Sequence, residues 1–123
     1  MQNETLENRN EKPKQFKNQV TLIGLVGHDA DHARVKEGKI YAKWSMATIE
    51  KYVDKATGDK VEETIWHNIE VRDTSLINVV KNIFKGMNIT VEGKLTNNSY
   101  EAKDGTKRYY TSVEATKIEI LSR

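Results

Sequence analysis

Between Thr64 and Arg72 the chain reads Thr-Ile-Trp-His-Asn-Ile-Glu-Val-Arg, with apolar residues recurring at alternate positions. That two-residue period is a strand's: Ile65, His67, Ile69 and Val71 share one face, and Thr64, Trp66, Asn68, Glu70 and Arg72 the other. The first face needs a core, so this segment has to belong to a sheet with something packed on it. The second is polar except for its tryptophan. A water-facing strand gains nothing from an indole unless a flat group covers it, and three partners suit: a nucleobase, another subunit, or another part of this chain.

At 123 residues and 37% hydrophobic content, the chain suits one small β-rich domain with one core. It has no cysteine, which excludes disulfide staples, thiolate nucleophiles and sulfur-based zinc sites. Twenty basic and 18 acidic residues nearly cancel to a net charge of +2, so no broad positive field draws phosphate from a distance. Binding to nucleic acid would rest on local basic residues and on stacking. No apolar run is long enough to span a bilayer and no signal-peptide core is present, so a soluble protein is expected. A phosphate-cradling glycine loop is missing, and no serine lies in a recognisable arrangement with histidine and carboxylate; the chain is not expected to be an enzyme.

In chain order, residues 1–15 are polar and charged and end near the only proline, Pro13, which predicts a disordered tail ahead of a domain over 16–123. Val20 to Gly27 is a β-branched apolar run with Gly24 at a bulge or bend. His28, Asp29, Asp31 and His32 are metal-ligand types, but polar loops collect such residues without holding a metal, and none is expected. After a turn at Glu37-Gly38, Ile40, Ala42, Trp44 and Met46 share a strand face, which makes Trp44 a core residue. Lys51 to Lys60 predicts a long, mobile hairpin loop leading back into the Thr64 to Arg72 strand. Asp73-Thr74-Ser75 offers N-caps to an amphipathic helix through Leu76, Val79, Val80, Ile83 and Phe84, stopped by Gly86. Ile89, Val91, Gly93 and Leu95 form a further strand. Asp104-Gly105 signals a hairpin, and Tyr109, Thr111, Val113 and Ala115 share a face of the return strand, which runs on to Ile118 and Ile120.

Three strands, a helix, a strand, a protruding hairpin and a last strand is the order of an OB-fold. The expected class is therefore all-β, a five-stranded Greek-key barrel with one helix between the third and fourth strands and a protruding hairpin between the fourth and fifth. Trp66 then lies on the third strand, in the region where that fold commonly binds single strands.

Asn18-Gln19-Val20-Thr21-Leu22-Ile23-Gly24-Leu25-Val26-Gly27-His28-Asp29 resembles the opening of the bacterial and mitochondrial single-stranded DNA-binding protein family. The likeness continues in register through Ala42-Lys43-Trp44-Ser45-Met46-Ala47-Thr48, Asp54-Lys55-Ala56-Thr57-Gly58, Trp66-His67, Lys85-Gly86, Val91-Glu92-Gly93-Lys94-Leu95 and Asp104-Gly105 to Arg108-Tyr109. The resemblance implies sequence-nonspecific binding of single-stranded DNA, serving replication, recombination and repair. It implies that Trp66 stacks on a base, with Tyr52 and Tyr100 where many members have tryptophans; such contacts are worth ~1–3 kcal/mol each. Arg72 stands where several members have a stacking phenylalanine, which implies a steeper salt dependence. Lys43, Lys94, Lys103, Lys107 and Arg108 are the candidates for phosphate contacts. His67 corresponds to a subunit-interface residue, and a homotetramer is expected, with a dimer as the alternative.

No cofactor or membrane partner is implied. Relatives continue into a flexible tail with an acidic tip that recruits replication enzymes, whereas this sequence stops at Arg123, so that recruitment is not expected. The expected location is the bacterial cytoplasm, at the nucleoid, ahead of the mitochondrial matrix. The competing reading is a primosomal-type OB module that acts through protein contacts and binds DNA weakly.

Overall fold

In a computed structural model, residues 12–28, 31–36 and 39–123 are described, with only the backbone path given for 31–36. Most of the expected tail, and the Glu37-Gly38 turn, lie outside the described residues; Lys12 to Gln19 are exposed and irregular. The strands are β1 (Val20–Val26), β2 (Asp31–Lys36), β3 (Lys39–Val53), β4 (Lys60–Val71), β5 (Asn88–Glu101) and β6 (Lys107–Ser122). A 3₁₀ turn, Thr74–Leu76, runs into one turn of helix, α1 (Ile77–Val80), between β4 and β5. All six strands form one sheet in the order β1-β5-β6-β4-β3-β2, and β1 also pairs with β3, which closes five of them into the barrel.

Closure happens where Leu25 meets Ala47 and Val26 meets Met46, both antiparallel. Gly24 makes this approach possible, because a Cβ there would overlap the Ala47 carbonyl. Here the bend expected at Gly24 is a close crossing of two backbones. On the far side β4 and β6 run parallel, Ile69 beside Val113. The inward residues of β3 and β4 pair as Ala42 with Val71 and Trp44 with Ile69; past Met46 the same face leaves the core, so that His67 is half-buried and Ile65, expected inside, is exposed. Trp44, Met46, Ile69, Val71, Ile89 and Val91 fill the barrel, as the alternation predicts. Val80 and Ile83 plug one end, with Leu76, Ile77 and Val79 packed behind them.

Three expectations are corrected. The helix is a single α-turn after a 3₁₀ turn instead of a run to Phe84. Asp73 caps it through Ser75 N (2.9 Å), but beyond Val80 the bonds tighten to Asn82 N→Val79 O and Ile83 N→Val80 O. Three β-branched residues in α1 and its role as a short plug favour that early exit. Gly86, at φ +88°, then turns the chain so that its N–H reaches Val26 O. Phe84 is left exposed.

The second correction concerns the β3–β4 hairpin: its strands continue to Val53 and Lys60, leaving a tight turn over 54–59 in place of a long loop. Asp54 organises it, its Oδ1 accepting from Ala56 N (2.8 Å) while its backbone N–H donates to Asp59 O (2.8 Å), and Gly58 supplies φ +76°. Third, β2 is an additional edge strand, paired to β3 with an irregularity between Asp31 and Arg34. An edge strand can form from backbone pairing with no apolar alternation to announce it. The Asp104-Gly105 hairpin is as expected: Asp104 Oδ1 accepts from Thr106 N (3.0 Å) and Thr106 Oγ1 (2.6 Å). Those bonds hold the Asp104 carboxyl below its ordinary range.

Ile69 is wholly buried between Trp44 and Val113. Ile69→Ala is expected to cost roughly 2–5 kcal/mol, measured as the loss in urea-unfolding free energy.

Candidate nucleic-acid interface

β4 reaches the surface with Trp66, whose indole is 60% exposed, against 2% for Trp44. Its cross-strand neighbour is Ala47, itself paired to Leu25 of β1, so a small residue flanks the ring. Beneath it lies Gly27. A Cβ at Gly27 would run into the six-membered ring of Trp66 and come within 2.8 Å of Ser45 Oγ. The six-membered ring of the indole therefore rests on bare backbone, with much of the side chain's surface open to a ligand.

Along the same face, Asn68 pairs with Ser45 and Glu70 with Lys43. His28 hydrogen-bonds Ser45 Oγ through Nδ1 (3.0 Å), and Asn68 Nδ2 donates to Thr111 O (3.3 Å). Glu70 is only 3% exposed. Its Oε2 accepts from the Tyr110 hydroxyl (3.2 Å) and its Oε1 from Arg72 Nη2 (3.4 Å). Arg72 in turn lies 4.9 Å from the centre of the Tyr41 ring, a cation–π contact. Burial, followed by the charge of Glu70, pushes the Tyr110 phenol above its usual value, which keeps it a donor. His28, Lys43, Ser45, Asn68, Glu70 and Tyr110 line a cleft of about 240 Å³ over Trp44 and Ile69.

The β5–β6 hairpin extends this surface. Tyr100 is exposed and lies 6.0 Å from Tyr110 at a tilted angle of 56°. Arg108 is paired with Tyr100 across the hairpin, and its guanidinium meets Asp104 at 3.7 Å. Lys94 belongs to the same alternate set of β5 as Tyr100, and Lys43 stands across β3–β4 from Glu70. Lys103 is exposed in the hairpin turn. Lys107 belongs to the other set, its Nζ 5.7 Å from the centre of the exposed Tyr109 ring.

Tyr52 is not brought together with Trp66. The β3–β4 register runs unbroken from Ala42–Val71 to Val53–Lys60, so Tyr52, opposite Val61, alternates onto the reverse face with Thr48, Ile65 and His67. There the Tyr52 hydroxyl donates to Glu63 (2.6 Å), which, ahead of desolvation, raises the phenol pKa. His67 Nε2 lies 2.9 Å from Thr48 Oγ1, partly buried.

Sequence reasoning overlooked Tyr110, Tyr41 and the seat at Gly27, and it named Glu70 only as a member of the polar face. Period alone could not find Tyr110, because its reach to Glu70 depends on the parallel approach of β6 to β4. Of the His28 to His32 cluster only the His28 side chain is described, and among the described residues no three His, Cys, Asp or Glu side chains gather as a metal site. No described helix is long and apolar enough to cross a membrane.

The model of the single-strand binding protein family matches residues 17–121. The chain belongs to that family. This family member is 36% identical over 107 residues to single-stranded DNA-binding protein 1 of Xylella fastidiosa, covering 86% of its own length and 78% of the relative's. To the Rickettsia conorii single-stranded DNA-binding protein it is 34% identical over 97 residues, spanning 64% of that protein's length. Its fold is that of a Plasmodium falciparum single-strand binding protein solved in complex with single-stranded DNA (TM-score 0.79, 24% identity, 90% of this chain and all of that one). It is also that of a small single-stranded DNA-binding protein from Streptomyces coelicolor (TM-score 0.65, 16% identity, 83% and 92% covered).

Gly27→Ala is expected to lift the indole from its seat. Overpacking should cost roughly 1–3 kcal/mol in unfolding free energy and shift the emission maximum of Trp66.

Proposed function

We propose that this chain, a single-stranded DNA-binding protein by family, holds its strand across the outer face of β3 and β4 and the β5–β6 hairpin. The observation that carries the reading is the indole of Trp66, seated on Gly27 and open above, among the polar Thr64, Asn68 and Arg72 of β4, with Ile49 and Val53 of β3 exposed on the same face. One base stacks on Trp66 and another on Tyr100. Sequence tolerance follows, because every base has a π-face. Lys43, Lys94, Lys103 and Arg108 supply phosphate contacts around these rings, and Lys107, beside Tyr109 on the other alternate set, supplies one to strand that passes round the hairpin. Arg72, held over Tyr41 by Glu70, offers a preoriented guanidinium plane to a base or a phosphate. Tyr52 lies on the reverse face and serves a different stretch of strand, one that passes round the hairpin.

His67 sits with Thr48 and Ile65 beyond the barrel core, and β1 exposes Ile23 and Leu25 on its outer face. Exposed apolar residues of this kind mark association surfaces, and we assign both regions to contacts between copies in a homotetramer. The protein coats single strands during replication, recombination and repair, in the bacterial cytoplasm at the nucleoid, and catalyses nothing.

Titrating tryptophan emission with oligo-dT tests the groove, since buried Trp44 supplies a constant background. Quenching is expected in the wild type and not in Trp66→Ala, with affinity weakened by roughly 1–3 kcal/mol. Affinity should also fall linearly with the logarithm of salt, at a slope of about −0.7 per phosphate neutralised. A wild type that neither quenches nor binds at low salt would overturn the reading. Sedimentation equilibrium checks assembly: a species near four chain masses is expected, giving way to lighter ones in Ile23→Asp.

A further inference from the structure

The strand-binding face proposed above has a carboxylate at its centre, and a carboxylate is the wrong group for phosphate. Glu70 stands between Lys43 and Tyr110, buried to 3%, four residues along β4 from Trp66 and so about 13 Å from it. Buried charges are normally paired and fully hydrogen-bonded. Here the two bonds are long, 3.2 Å from Tyr110 and 3.4 Å from Arg72, and the Arg72 side chain is itself half exposed. A carboxylate has about four lone-pair sites. Two remain, and Glu70 lines the open cleft.

We infer that this cleft is a base subsite selective for guanine, in which Glu70 accepts hydrogen bonds from the guanine N1–H and 2-amino group. The inference rests on the single-stranded DNA reading and adds a preference to it. The edge chemistry singles out the base. Guanine presents two adjacent donors, which match the two oxygens of a carboxylate. Thymine presents one donor between two carbonyls, and those carbonyls would face the negative charge. Cytosine and adenine each set a ring-nitrogen acceptor beside their amino group, again opposite the carboxylate. Lys43, across the strand pair from Glu70, supplies a cation for guanine O6. The Tyr110 phenol, pushed up by burial and by Glu70, remains protonated and keeps the carboxylate oriented. Trp66 and Tyr100 accept any base, so one discriminating position sits within a tolerant surface.

The test is fluorescence anisotropy of the full chain with a labelled dT oligonucleotide carrying, at one central position, dT, dG, dA or deoxyinosine. Central dG is expected to bind roughly fivefold or more tightly than dT. Deoxyinosine, which lacks only the 2-amino group, should lose most of that gain, and in Glu70→Gln the ratio of dG to dT affinity should fall to near one. The inosine comparison needs no variant, so a misfolded Glu70→Gln leaves the test intact. If dG, deoxyinosine and dT bind within twofold of each other while oligo-dT still quenches Trp66, the guanine subsite is overturned and the single-strand reading stands. If no oligonucleotide binds, both fall.

Discussion

Everything on the working surface depends on how the barrel closes. β1 must approach β3 closely enough to hydrogen-bond at Leu25 and Ala47, and glycine at position 24 is what permits it. Once closed, each strand of the hairpin has an inside that must be apolar and an outside that the core leaves unconstrained. β4 shows both demands in adjacent residues: Ile69 and Val71 are sealed within, while Trp66, Asn68 and Arg72 face out. Closure also brings the end of β1 beneath Trp66, so the crossing that completes the core builds the platform of the site.

The second organising contact is the parallel approach of β6 to β4. It is short, Ile69 with Val113 and Glu70 with Glu114, yet it lets the Tyr110 hydroxyl reach Glu70 and joins two hairpins distant in the chain into one surface. Tyr41, Arg72, Glu70, Tyr110 and Tyr100 then form a chain of contacts from β3 to β5. Each link alone is weak and partly solvated. Together they restrict the orientation of groups that a mobile hairpin would leave free.

Much of this was legible in the amino-acid order, for reasons that can be named. Alternation separated Trp44 from Trp66 because a barrel strand has only two sides. The Asp104-Gly105 turn was legible because its chemistry is local. The length of α1 was not: the i, i+3, i+4 pattern of Leu76 to Ile83 records which residues meet the core, and a plug that turns early satisfies it as well as a full helix. β2 carried no pattern because pairing at an edge asks nothing of side chains. Tyr52 was grouped with Trp66 through resemblance, although five positions along an unbroken strand separate it from Ala47 and an odd count changes face. Glu70 could be placed on the right face but not seen to be buried, since what buries it arrives from forty residues away.

The seat of Trp66 has one more consequence. The indole rests on backbone at the end of β1, and β1 also bears the exposed Ile23 and Leu25. On the proposed function, a base on the ring and a second copy on that edge would meet through the same backbone, and any coupling between them is reciprocal. Linked in that way through a residue with no side chain, assembly and strand binding would make the apparent affinity depend on protein concentration.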